Sequence, residues 1–264
     1  MFKKKLLLIG KNSFISVNLY LYLKNKISVK KISFEEFCKT KHIELNKFDF
    51  ICNCSINRKY IKKKYESKND LDFFITKKIK NLSTKFIFLS SRKIYPPKAN
   101  LKESNLAKPS DNYSKNKLIT ENKIKNYLKS KLIILRISNL IGKPLKRKKN
   151  RKISRTFIDN FYNFKNNQVV LYENHFKDFL SINQFSKIFY KILKANPNGT
   201  FNVSLGKKVY IKEIIKVLNK NKSIKFKKIK ILKKDSFYLN NKKLKKIIKL
   251  KITKKELLNY CSKI

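Results

Sequence analysis

The sequence predicts an α/β fold: a doubly wound parallel sheet with a small carboxyl-terminal α+β lobe. Apolar runs such as Leu6 to Gly10, Phe86 to Ser90 and Lys131 to Ile137 have the continuous hydrophobicity of strands buried on both faces. Stretches of helical length separate them, and strands alternating with helices imply a parallel sheet. Gly10 closes the first run, where such sheets turn from strand into helix.

Taken in order, residues 4–9 read as the first strand and Ser13 to Lys24 as the helix after the Gly10 turn. Strands follow over Ile27 to Ile32 and Asp49 to Cys54. A helix near Asp70 to Leu82 leads into the strand Phe86 to Leu89. A polar loop with Pro96, Pro97 and Pro109 precedes a helix over Asn112 to Leu128, and Leu132 to Ile137 is the next strand. The dense basic run Lys143 to Lys152 marks a mobile loop where the chain leaves its first domain. Beyond it come a helix Arg155 to Phe164, a strand near Val169 to Tyr172 and a helix Gln184 to Leu193. Two short basic helices, around Asn241 to Leu250 and Thr253 to Cys261, end the chain.

A chain of 264 residues, 42% hydrophobic, can bury a sizeable core. Its net charge of +51 invites a polyanionic partner. Only six of the 67 basic residues are Arg, however, and Lys is spread almost evenly. A nucleic-acid reader leans on the Arg fork and clusters its charge, so the composition reads as lysine-filled solvated faces and no specific nucleic acid is expected. Cys38, Cys52, Cys54 and Cys261 lack metal-ligand spacing, so reduced structural cysteines and no metal are expected. His42 and His175 stand isolated in the sequence. The apolar stretch of MFKKKLLLIG stops at Lys11, too short for a signal peptide. No run approaches the ~18 apolar residues of a membrane span. A cytoplasmic protein without membrane insertion is expected.

The turn Gly10-Lys-Asn-Ser13-Phe14-Ile15-Ser16 occupies the place where a Rossmann-type sheet meets a dinucleotide pyrophosphate at a helix amino terminus. Gly10 can make the tight turn. Ser13 adds a side chain where phosphate would approach, and Ser16 is expected to loosen helix–sheet packing. No acid stands at the end of the second strand for the adenosine ribose. Lys30 and Lys31 precede that point, while Glu35 and Glu36 come slightly later. This tilts the expectation towards NADP over NAD.

Tyr113 and Lys117 lie four residues apart, on one face of a helix. A neighbouring ammonium favours phenolate and makes Tyr a usable acid or base. The spacing alone is weak, since seven of the 13 tyrosines have Lys four places on. Tyr113 differs in its context: 22 residues upstream, at the carboxyl end of a buried strand, stands Ser90-Ser91-Arg92-Lys93-Ile94-Tyr95-Pro96. That edge of a doubly wound sheet carries the site, so the Ser91 hydroxyl and the Tyr113 phenol can converge on one substrate oxygen.

The stretch FIFLSSRKIYPP, then Glu103, Pro109 and YSKNKLITENKI closely resembles the active-site segment of extended short-chain dehydrogenases, the nucleotide-sugar epimerases, dehydratases and keto-sugar reductases. Further pieces match in the family's order. The Gly10 turn is similar to G-x-x-G-F-I-G with Ser at the second and third glycines. Asp49-Phe-Ile-Cys-Asn53-Cys-Ser55 resembles the fourth strand, and Leu135-Arg136-Ile-Ser-Asn139-Leu-Ile-Gly142 the strand and loop after the catalytic helix. Lys177-Asp178-Phe179 resembles Arg-Asp-Phe, and Gly199-Thr-Phe201-Asn202-Val a late strand.

The resemblance implies Tyr113 as acid/base, Lys117 holding the nicotinamide ribose and tuning Tyr113, and Ser91 orienting the reacting oxygen. It places Gly10, Ser13, Phe14, Ile15 and Ser55 with Tyr113 and Lys117 at the cofactor. Ser91, Asn139 and Lys177 fall at a nucleotide-sugar substrate, Lys177 replacing an Arg that grips the pyrophosphate. Asn183 stands where the family often has Asp. Residues 1–145 would be the dinucleotide-binding Rossmann domain, with a segment near 178–205 returning to it. Residues 146–264 would mainly be the substrate-binding lobe.

Arg92 and Lys93 replace the Asp-Glu pair of the dehydratases, which disfavours elimination. The short chain and its Ser-substituted turn favour a keto-sugar reductase over an epimerase. Two other readings stay open: a non-catalytic dinucleotide- or nucleotide-sugar-binding module of the same fold, and a basic polyanion-binding protein. A homodimer through the helix carrying Tyr113 is compatible with the resemblance.

Overall fold

The computed structural model describes residues 4–143, 168–172, 174–219, 225–229 and 235–264. The expected helix Arg155 to Phe164 and the basic run beyond Lys143 lie outside the described residues.

Six parallel strands form the main sheet in the order β2-β1-β3-β4-β5-β10. They are β1 (Lys5–Ile9), β2 (Ser28–Ile32), β3 (Phe50–Asn53), β4 (Lys85–Ser91), β5 (Leu132–Ile137) and β10 (Gly199–Val203). Successive residues of β1 enter opposite layers, as the two-residue period of a strand requires. Leu6 and Leu8 meet Leu19 and Leu23 of α1 (Phe14–Leu23) and Phe185, Phe189 and Ile192 of α7 (Ile182–Ala195). Leu7 and Ile9 share the other layer with Phe73, Ile75 and Ile79 of α5 (Leu71–Ile79) and Ile124 and Leu128 of α6 (Asn112–Leu128). The sheet is thus doubly wound. Its order reverses around β1, which has β2 on one side and β3 on the other, and ligands of such sheets bind beyond the carboxyl ends at this switch.

Shorter pieces surround the sheet. Helices α2 (Phe34–Lys39) and α3 (His42–Leu45) lie in the connection from β2 to β3, and α4 (Arg58–Lys62) in the connection from β3 to β4. Three two-stranded ladders follow β5. They pair β6 (Asn139–Ile141) with β9 (Phe179–Ser181), β8 (Phe176–Lys177) with β11 (Val209–Tyr210), and β7 (Gln168–Tyr172) with β12 (Lys225–Ile229). Helices α8 (Ile211–Leu218), α9 (Lys242–Ile247) and α10 (Lys254–Cys261) complete the carboxyl-terminal part. Ile94, Tyr95 and Leu101 pack on Phe237 and Leu239 in a separate apolar cluster, which fixes the loop after β4 to this part.

One buried polar network locks α6 to the sheet. Arg136 of β5 donates from Nε to both oxygens of Glu121 on α6 (3.2 and 3.3 Å) and from Nη2 to Oε2 at 2.7 Å. Ser90 on β4 donates to Glu121 Oε1 at 2.5 Å. Nη1 of Arg136 donates to the Tyr95 hydroxyl at 2.6 Å, which donates to Asn202 of β10 at 3.1 Å. Removing one partner of a buried pair leaves an uncompensated charge. Arg136→Met is therefore expected to destabilise the chain by about 3–5 kcal/mol in urea unfolding, whereas adding Glu121→Leu should restore most of the loss. A double variant no more stable than Arg136→Met would show that the pair does not act as a unit.

Candidate active site

Gly10 has φ +100°, and a Cβ there would lie 2.8 Å from the Ser55 amide nitrogen. The position therefore admits glycine alone, bringing the β1 turn against the end of β3. The amides of Gly10 and Lys11 both donate to the Ile32 carbonyl (2.9 and 3.0 Å), tying the turn to the end of β2. Ser13 is the N-cap of α1, and its hydroxyl accepts from the Ser16 amide at 3.1 Å. The amides of Phe14 and Ile15, in the first turn, belong to those for which a helix has no internal acceptor. Gly142 makes room for Phe14, whose ring a Cβ at that position would approach to 2.4 Å. Ser16 is fully buried. Its hydroxyl has no hydrogen-bond partner among the described residues, which is unfavourable for a buried donor.

At the end of β2, Ser33 caps α2. Its amide donates to Glu36 Oε2 at 2.6 Å, and Glu36 Oε1 lies 3.7 Å from Lys11 Nζ. An acid does reach this edge, but it is held in a capping box beside a lysine. The amide of Ser33 holds the Glu36 carboxyl below its usual range.

Asp111 caps α6 by accepting from the Ser114 amide at 2.8 Å. This sets Tyr113, half-buried, in the first turn, with Lys117 buried one turn later. Lys117 Nζ donates to Asp72 Oδ2 at 3.1 Å and lies 4.4 Å from the centre of the Phe88 ring. Asn53, at the end of β3, donates to Asp72 Oδ1 at 2.8 Å. The side-chain oxygen Oδ1 of Asn53 accepts from the Ser55 amide (2.9 Å) and hydroxyl (2.6 Å). Burial works against the Lys117 ammonium, yet Asp72 and Tyr113 leave its pKa above the ordinary lysine value. Burial raises the Asp72 carboxyl. The Tyr60 hydroxyl bonds Thr120 at 2.7 Å, and Asn116 donates to the Tyr60 carbonyl at 2.7 Å. These contacts hold α4 against α6. Ser55, Asn57, Tyr60, Asp70 and Asp72 line a niche at this edge.

Ser91 ends β4, and its hydroxyl accepts from the Lys93 amide at 3.2 Å. The Lys93 ammonium bonds Asp111 at 2.9 Å and lies 5.9 Å from the Tyr113 ring centre. Lys93 thus links the neighbourhoods of Ser91 and Tyr113. In the carboxyl-terminal part Lys177 pairs with Asp235 at 2.7 Å, and His175 lies 3.0 Å from the same carboxylate. His175 is not isolated once the chain is folded. The Asn139 amide donates to the Asp178 carbonyl at 3.3 Å, bringing Asn139 beside the Lys177 segment. Asp178 is fully buried, and its carboxylate accepts from the amides of Leu205, Gly206 and Leu239 (2.9, 3.1 and 3.1 Å). Asn183 is exposed near the start of α7.

Residues 53–204, more than half of the chain, match the NAD dependent epimerase/dehydratase family. The chain belongs to that family. The matched span begins at the end of β3 and leaves out the Ser-substituted turn. None of the curated proteins matches the chain in sequence. Among solved structures it is similar to UDP-N-acetylglucosamine 4-epimerase from Methanobrevibacter ruminantium in complex with UDP-N-acetylmuramic acid. The TM-score is 0.80 and the identity 19%, over 99% of this chain and 97% of that one. It also resembles dTDP-glucose 4,6-dehydratase from Bacillus anthracis in complex with NAD, at TM-score 0.74 and 13% identity over 98% and 96%. A third is RMD from Pseudomonas aeruginosa complexed with NADPH, at TM-score 0.71 and 15% identity over 99% and 97%. At these identities the likeness is one of fold.

Within this epimerase/dehydratase-family chain, the sequence reading missed Asp72, Asn53 as its holder, and Asp235. Asp72 stands 45 residues from Lys117 and Asp235 is 58 from Lys177, so neither pair leaves a local pattern. Asp178 carries a pH signature. Burial raises its carboxyl to about 7 against the pull of three amides, whereas in the unfolded chain it titrates near ~3.9. The folded state therefore binds the extra proton between these values. Stability from this group is full below the unfolded value and is lost as pH rises through the folded one. The stability difference between the native protein and Asp178→Asn, measured in urea, should shrink from about pH 5 to about pH 8. A pH-independent difference would show that Asp178 holds no such proton.

Proposed function

We propose that this chain is an NAD(P)-dependent oxidoreductase/epimerase that transfers hydride to or from a nucleotide-linked sugar, with Tyr113 as acid/base. The observation that carries the reading is Lys93, which links Ser91 to Tyr113 at the carboxyl edge of β4 in a chain of the epimerase/dehydratase family. The residues present suit a nicotinamide dinucleotide. The Gly10 turn abuts Ser55 where a Cβ would not fit, and the first-turn amides of α1 suit a pyrophosphate. Gly10, Ser13, Phe14, Ile15 and Ser55 would hold it at the switch point, and Lys117 at the nicotinamide ribose. The nicotinamide supplies or accepts the hydride.

The protein's own residues handle the proton and the positioning. Tyr113 gives or takes the proton of the sugar oxygen, and Ser91 holds that oxygen by its hydroxyl. Lys117 stands one helical turn from Tyr113 on the same face of α6. Lys177 and Asn139 lie on the substrate side. Glu36 is committed to the Ser33 amide and to Lys11, which favours NADP over NAD at the ribose. Arg92 and Lys93 offer no acid and base for water loss, and a turn with serines in place of glycines suits an exchangeable cofactor. These features support a keto-sugar reductase over an epimerase or a dehydratase. The buried Lys117–Asp72 pair favours a second reading, a binding module without turnover.

Titration with NADPH and NADH at physiological salt should give saturable nicotinamide fluorescence with the tighter binding to NADPH. Absence of saturation with either would overturn the enzyme reading. With a nucleotide keto-sugar, Tyr113→Phe should lower kcat by about 10²–10⁴-fold and leave the cofactor Kd unchanged. Lys117→Ala should weaken both. Turnover retained in Tyr113→Phe would remove Tyr113 from the chemistry.

A further inference from the structure

Arg92 follows Ser91 directly and has no role in the proton chemistry above. Its guanidinium lies 3.8 Å from the centre of the Phe237 ring, and that ring is fully buried. The Arg92 Nε is buried and has no hydrogen-bond partner among the described residues. Burial lowers the pKa of Arg92, with Asp235 and Asp111 acting against it. Neither carboxylate is free to neutralise it: Asp235 is bound by Lys177 and lies beside His175, and Asp111 is bound by Lys93. The residue is half-buried, and a buried N–H donor without an acceptor is unfavourable. Stacking on Phe237 nevertheless holds its planar fork in one orientation. The side chain runs from the carboxyl end of β4 to Phe237 in the 235–239 segment.

We propose that Arg92 is a specificity residue that binds a carboxylate carried by the sugar of a nucleotide-linked substrate. The inference rests on the nucleotide-sugar reading and narrows it to acidic sugars. The planar fork matches a planar carboxylate through paired N–H donors. Arg92 follows Ser91 in the chain, next to the hydroxyl-bearing residue assigned to the reacting oxygen, and its guanidinium faces the segment that carries Asp235 and Phe237. Free nucleotides as references separate a sugar carboxylate from the diphosphate.

The test uses matched ligands that differ at one carbon: UDP-glucuronate against UDP-glucose, and GDP-mannuronate against GDP-mannose, with UDP and GDP alone as references. Calorimetry on the full chain with cofactor should show one acidic sugar bound about tenfold or more tighter than its neutral partner, a difference of about 1.4 kcal/mol. Arg92→Gln should erase that preference and leave the neutral sugar and the free nucleotide within about twofold. Arg92→Lys, which keeps the charge and loses the fork, should recover only part of it. Without ligand, Arg92→Gln should unfold at the same temperature as the native protein or higher, since a buried N–H donor without an acceptor is removed. A lowered midpoint would make Arg92 a structural residue and overturn the proposal. Equal affinity of the native protein for both members of each pair would overturn it while leaving the nucleotide-sugar reading intact. Equal weakening of UDP and UDP-glucuronate in Arg92→Gln would assign the fork to the diphosphate and overturn it too. Binding of no nucleotide or sugar at all would overturn the functional reading and the proposal together.

Discussion

The fork that Arg136 makes with Glu121 is the contact on which the arrangement of the site depends. Helix α6 has apolar anchors near its carboxyl end, at Ile124 and Leu128, whereas Tyr113 sits at the far end. Apolar contact is non-directional and would allow the helix to slide or roll on the sheet. A charge pair with two-pronged geometry fixes both movements, and Ser90 ties the same carboxylate to β4, so that Ser91 and Tyr113 keep a constant relation. Such a pair adds little net stability over apolar residues. Its effect here is register.

A second network runs from the end of β3 to α6: Ser55 to Asn53, Asn53 to Asp72, Asp72 to Lys117. Each member is held by the next, so the end of β3, the start of α5 and the helix that carries Tyr113 form one unit. Lys117 is held from two sides by this network, by the Asp72 carboxylate and by the Phe88 ring.

How much of this was legible depends on the range over which each feature acts. Asn112–Leu128 and Leu132–Ile137 are read to the residue. Asp111 caps the first, and the second is an apolar run with sharp polar limits. The strands β6, β8, β9 and β11 were not read, having two or three residues each and partners far along the chain. Helices α2, α3 and α4, of four to six residues, are too short to display a helical period. The site divides in the same way. Ser91, Tyr113 and Lys117 lie in one contiguous stretch, so their order could be recognised. Asp72 and Asp235 gain meaning only from long-range folding. Ser16 stands out in the sequence as a replaced glycine, but the burial of its hydroxyl without a partner follows only from the neighbours of α1.

The lysines that clothe the surface give the chain its charge of +51, and they act on ligands before any contact forms. A field of that sign raises the arrival rate of an anion by drawing it in from a distance. An anionic ligand therefore reaches this protein more often than it would reach a neutral protein of the same shape. A dissociation constant is the ratio of departure to arrival rates, so faster arrival offsets faster departure at any anion-binding site on this surface. A site of this kind is kept filled by frequent encounter more than by long residence, and its occupancy follows the ionic strength around it.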